Sequence, residues 1–228
     1  MKKTGRYIWI TFCILAISIL VFEVTNIDIY IQDHFYNFET KQWILAKTSV
    51  IPKLIFYDGV KLLYVLFVIA ILTILLFFRH RPIVVLYKNG LLIVLLSCVL
   101  IPLLINSLKA VTNVPCPDNI RHYGGNYPYV TVLSKYPPTF HATGNIKCYP
   151  AGHASGGFAL MSLFFLFMSK RNKTIALVSA ISIGWTIGIY KMIIGDHFFS
   201  HTFVSMIISW LVILLIAGSV NHFNYHRA

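Results

Sequence analysis

The chain has 228 residues, of which 57% are hydrophobic and only 11% are charged. Soluble globular domains carry roughly 25% charged residues, so this composition excludes an ordinary soluble protein and favours an integral membrane protein. The formal net charge of +12 would suit a nucleic-acid-binding protein. The positions of the basic residues argue against that class, as described below.

Six apolar runs are the predicted transmembrane helices, because about 20 apolar residues suffice to cross a bilayer. They cover residues 7–24, 60–78, 83–108, 153–169, 174–190 and 202–220, the fourth and fifth being short. The first run resembles a signal peptide, but no small-residue cleavage site follows it, so we expect it to be retained. The sequence therefore predicts one all-α membrane domain over residues 1–228, with one or two short amphipathic helices on the outer surface within residues 26–59.

The distribution of charge predicts the topology. The N-terminus, the two short loops and the C-terminus hold ten basic and no acidic residues, whereas the other side holds nine basic and all seven acidic residues. By the positive-inside rule, both termini are cytoplasmic and residues 26–59, 109–152 and 191–200 face outward. The basic excess is thus explained by topology and not by nucleic-acid binding. The ten basic residues of the predicted cytoplasmic segments are Lys2, Lys3, Arg6, Arg79, Arg81, Lys88, Lys170, Arg171, Lys173 and Arg227.

Polar residues from three distant segments are predicted to meet at the outer side of the membrane. Lys109 ends the third span, His153 begins the fourth, Lys191 ends the fifth, and His197 and His201 lie at the start of the sixth. Ionisable residues at the border of an apolar bundle are functional candidates. The fourth span also begins with free backbone N–H groups that can bind an anion. Cations and imidazoles at such a helix start indicate phosphate chemistry.

These segments resemble the motifs of the type 2 phosphatidic acid phosphatase superfamily. That family carries Lys, six residues, Arg-Pro; then Pro-Ser-Gly-His; then Ser-Arg, five residues, His, three residues, Asp. The chain reads KAVTNVPCP from Lys109, PAGH from Pro150 and YKMIIGDHFFSH from Tyr190, with matching spacings. A looser likeness to a bacterial subgroup with lipid A phosphatase-like members rests on CPDNIRHYGG and GDHFFSH.

Four positions depart from the family pattern. Where the family has Arg, Ser, Arg and Asp, the chain has Cys116, Ala151, Lys191 and His201. The lost Arg is a bidentate phosphate clamp, which Arg121 could replace if it does not simply form a salt bridge within the loop. Lys191 is a point charge instead of a fork donor. We expect His201, four residues after His197, to fix the tautomer of His197 in place of the missing carboxylate, with Asp118 or Asp196 as possible helpers.

The resemblance implies phosphoryl transfer through a phosphohistidine. His197 would attack phosphorus, and His153 would protonate the leaving oxygen. Fixed cations and backbone donors would stabilise the transferred group, so no metal or other cofactor is required. The groups that would hold the phosphate oxygens are Lys109, Lys191, Arg121 and the backbone N–H groups of Ala151 and Gly152.

The resemblance therefore predicts a phosphoric ester or anhydride hydrolase in the bacterial inner membrane, with its active site at the periplasmic face. Its partners would be the bilayer and a lipid phosphate, with no nucleic acid and no protein partner. Lipid A phosphate, undecaprenyl diphosphate, phosphatidylglycerol phosphate and phosphatidate remain open as substrates. Two alternatives stay open: a catalytically degenerate protein that binds lipid phosphates, and a metal-dependent enzyme with ligands His153, His197 and His201.

Two cysteines add a prediction about the outward loop. Cys116 and Cys148 lie where an oxidising compartment permits a disulfide, and the bridge would tie the first motif to the second. It would also explain why Cys stands in the position of the family's Arg. The alternative is two unpaired thiols. Cys13 and Cys98 lie within spans and are expected to fill apolar space.

Overall fold

The protein is described here by a computed structural model that covers residues 2–141, 144 and 146–225. Arg227, part of the predicted cytoplasmic C-terminus, lies outside the described residues. The chain is an all-α membrane protein, as its sequence predicts. Five helices of the described part are long and apolar enough to cross a membrane. They are α1 (Lys2–Val24), α4 (Val60–Phe77), α5 (Pro82–Thr112), α7 (Lys170–Ile193) and α8 (Phe199–Tyr225).

The fourth predicted span is not one continuous α-helix. It consists of α6 (Gly152–Ala159), of eight residues, continued by the 3-10 helix Leu160–Phe165, of six residues. Adjacent Gly156 and Gly157 lower the helix propensity of this segment. Because a 3-10 helix rises about 2.0 Å per residue, the whole segment is roughly 24 Å long. It therefore covers most of a hydrocarbon core of about 30 Å with few residues.

α6 lies at the centre of the bundle, where it contacts α5, α7 and α8. The buried face of α5 repeats at helical intervals, with Val94, Cys98, Ile101 and Ile105 all inside. Phe158 of α6 is fully buried among them. α1 packs on α8 and α4 packs on α5, and both present many large apolar side chains outward, as helices in lipid do.

Two glycines allow α6 and α7 to approach closely. A Cβ added at Gly157 would lie 2.7 Å from the Cα atom of Gly184, and one added at Gly184 would lie 2.3 Å from the ring of Phe158. Only a residue without a side chain fits such contacts. The two helices therefore pack with their backbones together, as small residues permit in membranes.

Residues 26–49 form a segment that we call the cover segment. It contains α2 (Ile27–Asp33) and a hairpin of two short strands, β1 (Tyr36–Asn37) and β2 (Gln42–Trp43), in which Tyr36 pairs with Trp43. A short helix α3 (Val50–Lys53) and a π-helix (Leu54–Gly59) then lead into α4. The sequence predicted the short helices here but not the hairpin, which is too short to show a strand pattern.

The cover segment packs on the turn between α7 and α8. The side-chain amide of Gln32 donates to the carbonyl of Met192 at 2.7 Å, and Gln32 is fully buried. The backbone N–H and the hydroxyl of Ser200 donate to Asp28 at 2.8 and 2.5 Å. Gly195 has φ of +76°, and a Cβ there would lie 2.3 Å from Trp43. These contacts bring the cover segment and the turn to the end of the bundle that carries the loop 113–151, called below the long-loop end.

Asp28 makes the docking of α2 depend on pH. Burial raises its pKa from 3.8 to about 6, although the hydrogen bonds from Ser200 oppose this. An acid with a raised pKa binds protons more tightly when the protein is folded, so the free energy of unfolding falls as pH rises through this range. Asp28→Asn removes this titration. We therefore expect the Tm of D28N, relative to the parent, to increase between about pH 4 and about pH 7, measured by thermal melting in detergent.

The control is Glu39→Gln, which changes an exposed carboxylate of the same cover segment. E39Q should leave the Tm close to that of the parent, because the side chain is exposed. A D28N difference that is constant or decreases with pH would contradict the prediction.

Candidate active site

The first turn of α6 positions His153 beside Lys109. α5 ends where Asn113 adopts a left-handed conformation, φ of 50°, which places Lys109 in the last helical turn. A Cβ added at Gly152 would lie 3.5 Å from the Nζ atom of Lys109 and 3.1 Å from Oδ1 of Asn106. The absence of a side chain at Gly152 therefore lets a cation approach the N-terminus of α6, where free N–H groups also favour an anion.

His197 lies in the turn between α7 and α8, and its backbone N–H donates to the carbonyl of Lys191 at 3.3 Å. Only 3% of the residue is exposed. Its ring centroid is 6.1 Å from that of His153 and 5.7 Å from that of His201. The structure thus brings together the three imidazoles that the sequence placed at one membrane depth.

The surroundings of His197 keep its ring neutral. Burial lowers the pKa of His197 well below its ordinary value, and the neighbouring His201, Lys109, His153 and Lys191 lower it further. Neither ring nitrogen has a hydrogen-bond partner within the described part of the chain. A neutral imidazole with an available lone pair is the form in which histidine acts as a nucleophile.

An ion cluster lies next to these rings, and we define it as Lys47, Asp118, Lys191 and Asp196. Asp196 accepts hydrogen bonds from Lys191 at 2.8 Å and from Lys47 at 2.5 Å. Lys47 also contacts Asp118 at 2.5 Å. Burial raises the pKa of Asp196, but the two lysines outweigh it, so the net pKa is lowered and the group is a carboxylate.

Lys47 was missed by the sequence analysis, because it lies in the cover segment and belongs to no motif. The sequence offered Asp118 and Asp196 as helpers of His197. In the structure, the described ion pairs of both carboxylates are with lysines. No signal in the sequence distinguishes Lys47 from Lys41, which lies in the same cover segment.

His201 does not form the hydrogen bond to His197 that the sequence predicted. One of its ring nitrogens bonds to the backbone of Cys148, and Nδ1 has no partner among the described residues. The rings of Tyr149 and Phe198 lie 5.2 and 5.4 Å from it. His201 therefore meets His197 only through ring contact, because its polar edge is turned toward the loop.

Two predicted phosphate-binding groups occupy other positions. The backbone N–H of Ala151 donates to the carbonyl of His201 at 3.0 Å and the residue is fully buried, so this donor joins α6 to α8. Arg121 is exposed, donates to the carbonyl of Asn126 at 3.4 Å and lies 5.9 Å from the ring centroid of Phe140. Arg121 begins the short 3-10 turn Arg121–Tyr123, and its described contacts lie within the loop and not at the histidines.

The predicted disulfide between Cys116 and Cys148 is present, with the two Cα atoms 5.2 Å apart. The alternative of two unpaired thiols is therefore wrong. The bond joins the first motif to the segment that leads into α6. Cys13 and Cys98 are free thiols within helices.

A large cavity of about 760 Å³ reaches the site from within the membrane region. Its polar end is formed by Asn106, Lys109, Gly152 and His153, and Lys61 also lines it. The remainder is lined by α4, α5, α6 and α7 with predominantly apolar groups. The arrangement can hold an anion at one end and an apolar chain along the rest. The remaining lining residues are Val60, Leu63, Tyr64, Phe67, Pro102, Gly156, Gly157, Leu160, Leu163, Ile183 and Ile187.

The three-histidine metal site has no geometric support. In the part of the chain that the structure describes, no group of three or more His, Cys, Asp or Glu side chains is arranged to hold a metal ion.

The fold and the site together define an all-α membrane protein with lysines and imidazoles gathered at one end of its helix bundle. A family model described as the PAP2 superfamily matches residues 90–225. Because this is more than half of the chain, the protein belongs to the PAP2 superfamily, the type 2 phosphatidic acid phosphatases that its motifs resemble. Membership supports a phosphatase-type function. Comparison with curated proteins and with solved structures gives no match.

Removal of Lys47 should destabilise the long-loop end. Lys47→Met leaves Asp118 and Asp196 with less compensating charge. Breaking a buried ion pair costs several kcal/mol, but Lys47 is partly exposed, so we expect a loss of about 1–2 kcal/mol. Thermal unfolding in detergent should show a Tm a few degrees lower.

Lys47→Arg, which keeps the charge, should retain most of the stability. Lys135→Met, at an exposed position of the long loop, is the matched control and should leave the Tm unchanged. An equal Tm for K47M and the parent would show that the ion cluster does not stabilise the fold.

Proposed function

We propose that the protein is an integral-membrane phosphatase that hydrolyses a lipid phosphate or diphosphate through a phosphohistidine at His197. The observation that carries this proposal is the cavity of about 760 Å³ with Lys109 and His153 at its polar end. His197 is a neighbour of His153, with the two ring centroids 6.1 Å apart. A headgroup bound at the polar end therefore has an acid on one side and a nucleophile within reach.

The first step forms a bond from a ring nitrogen of His197 to phosphorus and breaks the bond from phosphorus to the leaving oxygen. His153 donates a proton to that oxygen. In the second step, water attacks phosphorus as His153 accepts its proton, and the bond to His197 breaks. Inorganic phosphate leaves, and both imidazoles return to their starting state. The neutral ring of His197, favoured by burial and nearby cations, is the reactive form.

The charge that develops on the phosphoryl oxygens is stabilised by fixed groups. Lys109 and the N-terminus of α6 lie on one side, and Lys191 approaches from the end of α7. Asp196 holds Lys191 at 2.8 Å, which orients the ammonium group before the substrate binds. Phosphoryl transfer depends mainly on such positioning and charge, so this mechanism needs no metal.

The substrate class follows from the lining of the cavity, whose apolar walls suit a lipid. Lipid A phosphate, undecaprenyl diphosphate, phosphatidylglycerol phosphate and phosphatidate all satisfy this description. The charge asymmetry of the chain supports cytoplasmic termini and a site at the outer face of the membrane. The bacterial inner membrane is proposed from the likeness of the motifs to the bacterial subgroup. The proposed partners are the bilayer and the lipid, without nucleic acid or another protein.

A second candidate function is binding of a lipid phosphate without turnover. It is favoured by one observation: the ring nitrogens of His197 have no hydrogen-bond partner among the described residues, so no group fixes its tautomer. The loss of the family's Arg at Cys116 points in the same direction. This candidate predicts specific binding and no release of phosphate.

Activity tests separate these candidates. Purified protein should release phosphate from a lipid phosphate in the presence of a chelator. His197→Ala should abolish the release, because the nucleophile is lost, and His153→Ala should lower kcat by about 10²–10⁴-fold. Malachite-green detection of phosphate over the lipid panel measures both effects.

The matched control is His34→Ala, an exposed histidine of the cover segment, which should retain activity. Specific binding without turnover by the parent would favour the degenerate protein. Loss of activity with chelator and rescue by zinc would favour metal dependence, and both outcomes would refute the proposed mechanism.

The proposed orientation is tested separately. A reporter fused after Ala228 should lie in the cytoplasm, and one inserted near Lys135 should lie outside, because positive charge is retained inside. Paired alkaline phosphatase and fluorescent-protein fusions measure this. The reverse result would place the site in the cytoplasm and exclude an outer-leaflet substrate.

A further inference from the structure

Lys61 is a cation of the active-site cavity that belongs to none of the family motifs. It lies in the first turn of α4 and lines the cavity of about 760 Å³ together with Lys109 and His153. The family model matches only residues 90–225, so neither the motifs nor the match includes Lys61. The charges of Lys61 and Lys109 both act on the ring of His153. Lys61 therefore lies at the polar end of the cavity.

The charges of the ion cluster cancel, which leaves Lys61 and Lys109 as the unbalanced lysines of the cavity lining. The cluster consists of two lysines and two aspartates, joined by three described ion pairs. Within the described part of the chain, neither Lys61 nor Lys109 forms an ion pair. Asp58, three residues before Lys61, is exposed and belongs to none of these pairs. The two lysines are thus available to a negatively charged ligand.

Two unbalanced cations suit a headgroup with two negative charges. A phosphate monoester carries roughly −1.5 to −2 at pH 7, whereas a phosphate diester carries a single charge. The lining of the cavity is mostly apolar, so the two ammonium groups repel each other with little screening, and a dianion held by both removes this repulsion. Lys109 belongs to α5 and Lys61 to α4, so the headgroup would contact cations from two different helices.

We propose that Lys61 is a further substrate-binding residue, which holds a phosphate monoester dianion together with Lys109. The inference rests on the proposed function and adds a residue to its headgroup site. An ammonium group that contacts the phosphate equally in the ground state and in the transition state contributes affinity and not rate. Lys61 thus differs from His153 and His197, whose proposed roles are chemical. A lysine that merely extends its ammonium group to the membrane interface would contribute to neither.

Binding is measured by isothermal titration calorimetry in mixed micelles, with phosphatidate as the monoester and phosphatidylglycerol as the diester. All variants carry His197→Ala, which prevents turnover. Lys61→Met should raise the Kd for phosphatidate about tenfold, because a charge-assisted contact is lost. The Kd for phosphatidylglycerol should rise less, so the preference for the monoester should fall. Lys61→Arg should keep both the affinity and the preference.

Lys41→Met is the matched control, because it removes an exposed lysine of the cover segment and should leave both Kd values unchanged. Lys61→Gln, which keeps a polar side chain, should weaken binding as Lys61→Met does. Agreement between these two variants of Lys61 separates the loss of charge from a disturbance of packing.

Kinetics distinguish this inference from the proposed function. In an active parent, Lys61→Met alone should raise the KM for phosphatidate by a similar factor with little change of kcat. Weaker binding by Lys61→Met in a protein that releases no phosphate would support Lys61 as a headgroup ligand and refute the phosphatase. Unchanged Kd values in Lys61→Met and Lys61→Gln, or an equal loss of affinity in Lys41→Met, would overturn the role of Lys61.

Discussion

Asp196 lies between two lysines, and the arrangement of the whole long-loop end depends on that ion cluster. The side chain of Lys191 lies where water scarcely reaches, and an uncompensated buried cation is costly. Asp196 supplies the opposite charge at 2.8 Å, and Lys47 in turn balances Asp196 and Asp118. The cover segment is therefore part of the electrostatic structure of the site, although the family match begins only at residue 90.

A disulfide and several hydrogen bonds also hold these loops together. The disulfide of Cys116 and Cys148 fixes the two ends of the long loop covalently, and the bond from Ala151 to the carbonyl of His201 joins α6 to α8. Asp28 caps the first turn of α8 through Ser200. A site that works by fixed charges has to be held in place before the substrate arrives. In this chain, the disulfide and the ion cluster hold these loops together.

Much of this organisation could be predicted from local pattern. Hydropathy gave the long helices, and motif spacing brought Lys109, His153, Lys191 and His197 into one region. The rest depends on contacts between residues far apart in sequence. Lys47 and Asp118 are separated by 71 positions, and Asp28 and Ser200 by 172, so no local pattern marks them. The role assigned to Arg121 was reasonable for a charge near the motif, but the short 3-10 turn that redirects it is set by tertiary packing.

The contacts of Gln32 and Asp28 also bear on how the protein is made. Gln32 bonds to Met192, 160 residues later, and Asp28 bonds to Ser200. During synthesis, the cover segment leaves the ribosome early, whereas the turn that it packs on is completed only when α7 and α8 enter the membrane. Contacts of such long range form late, because the loop between them must be closed first. Until α7 and α8 are inserted, Gln32 and Asp28 lack their partners Met192 and Ser200. The cover segment can therefore dock only after the last two helices have entered the membrane.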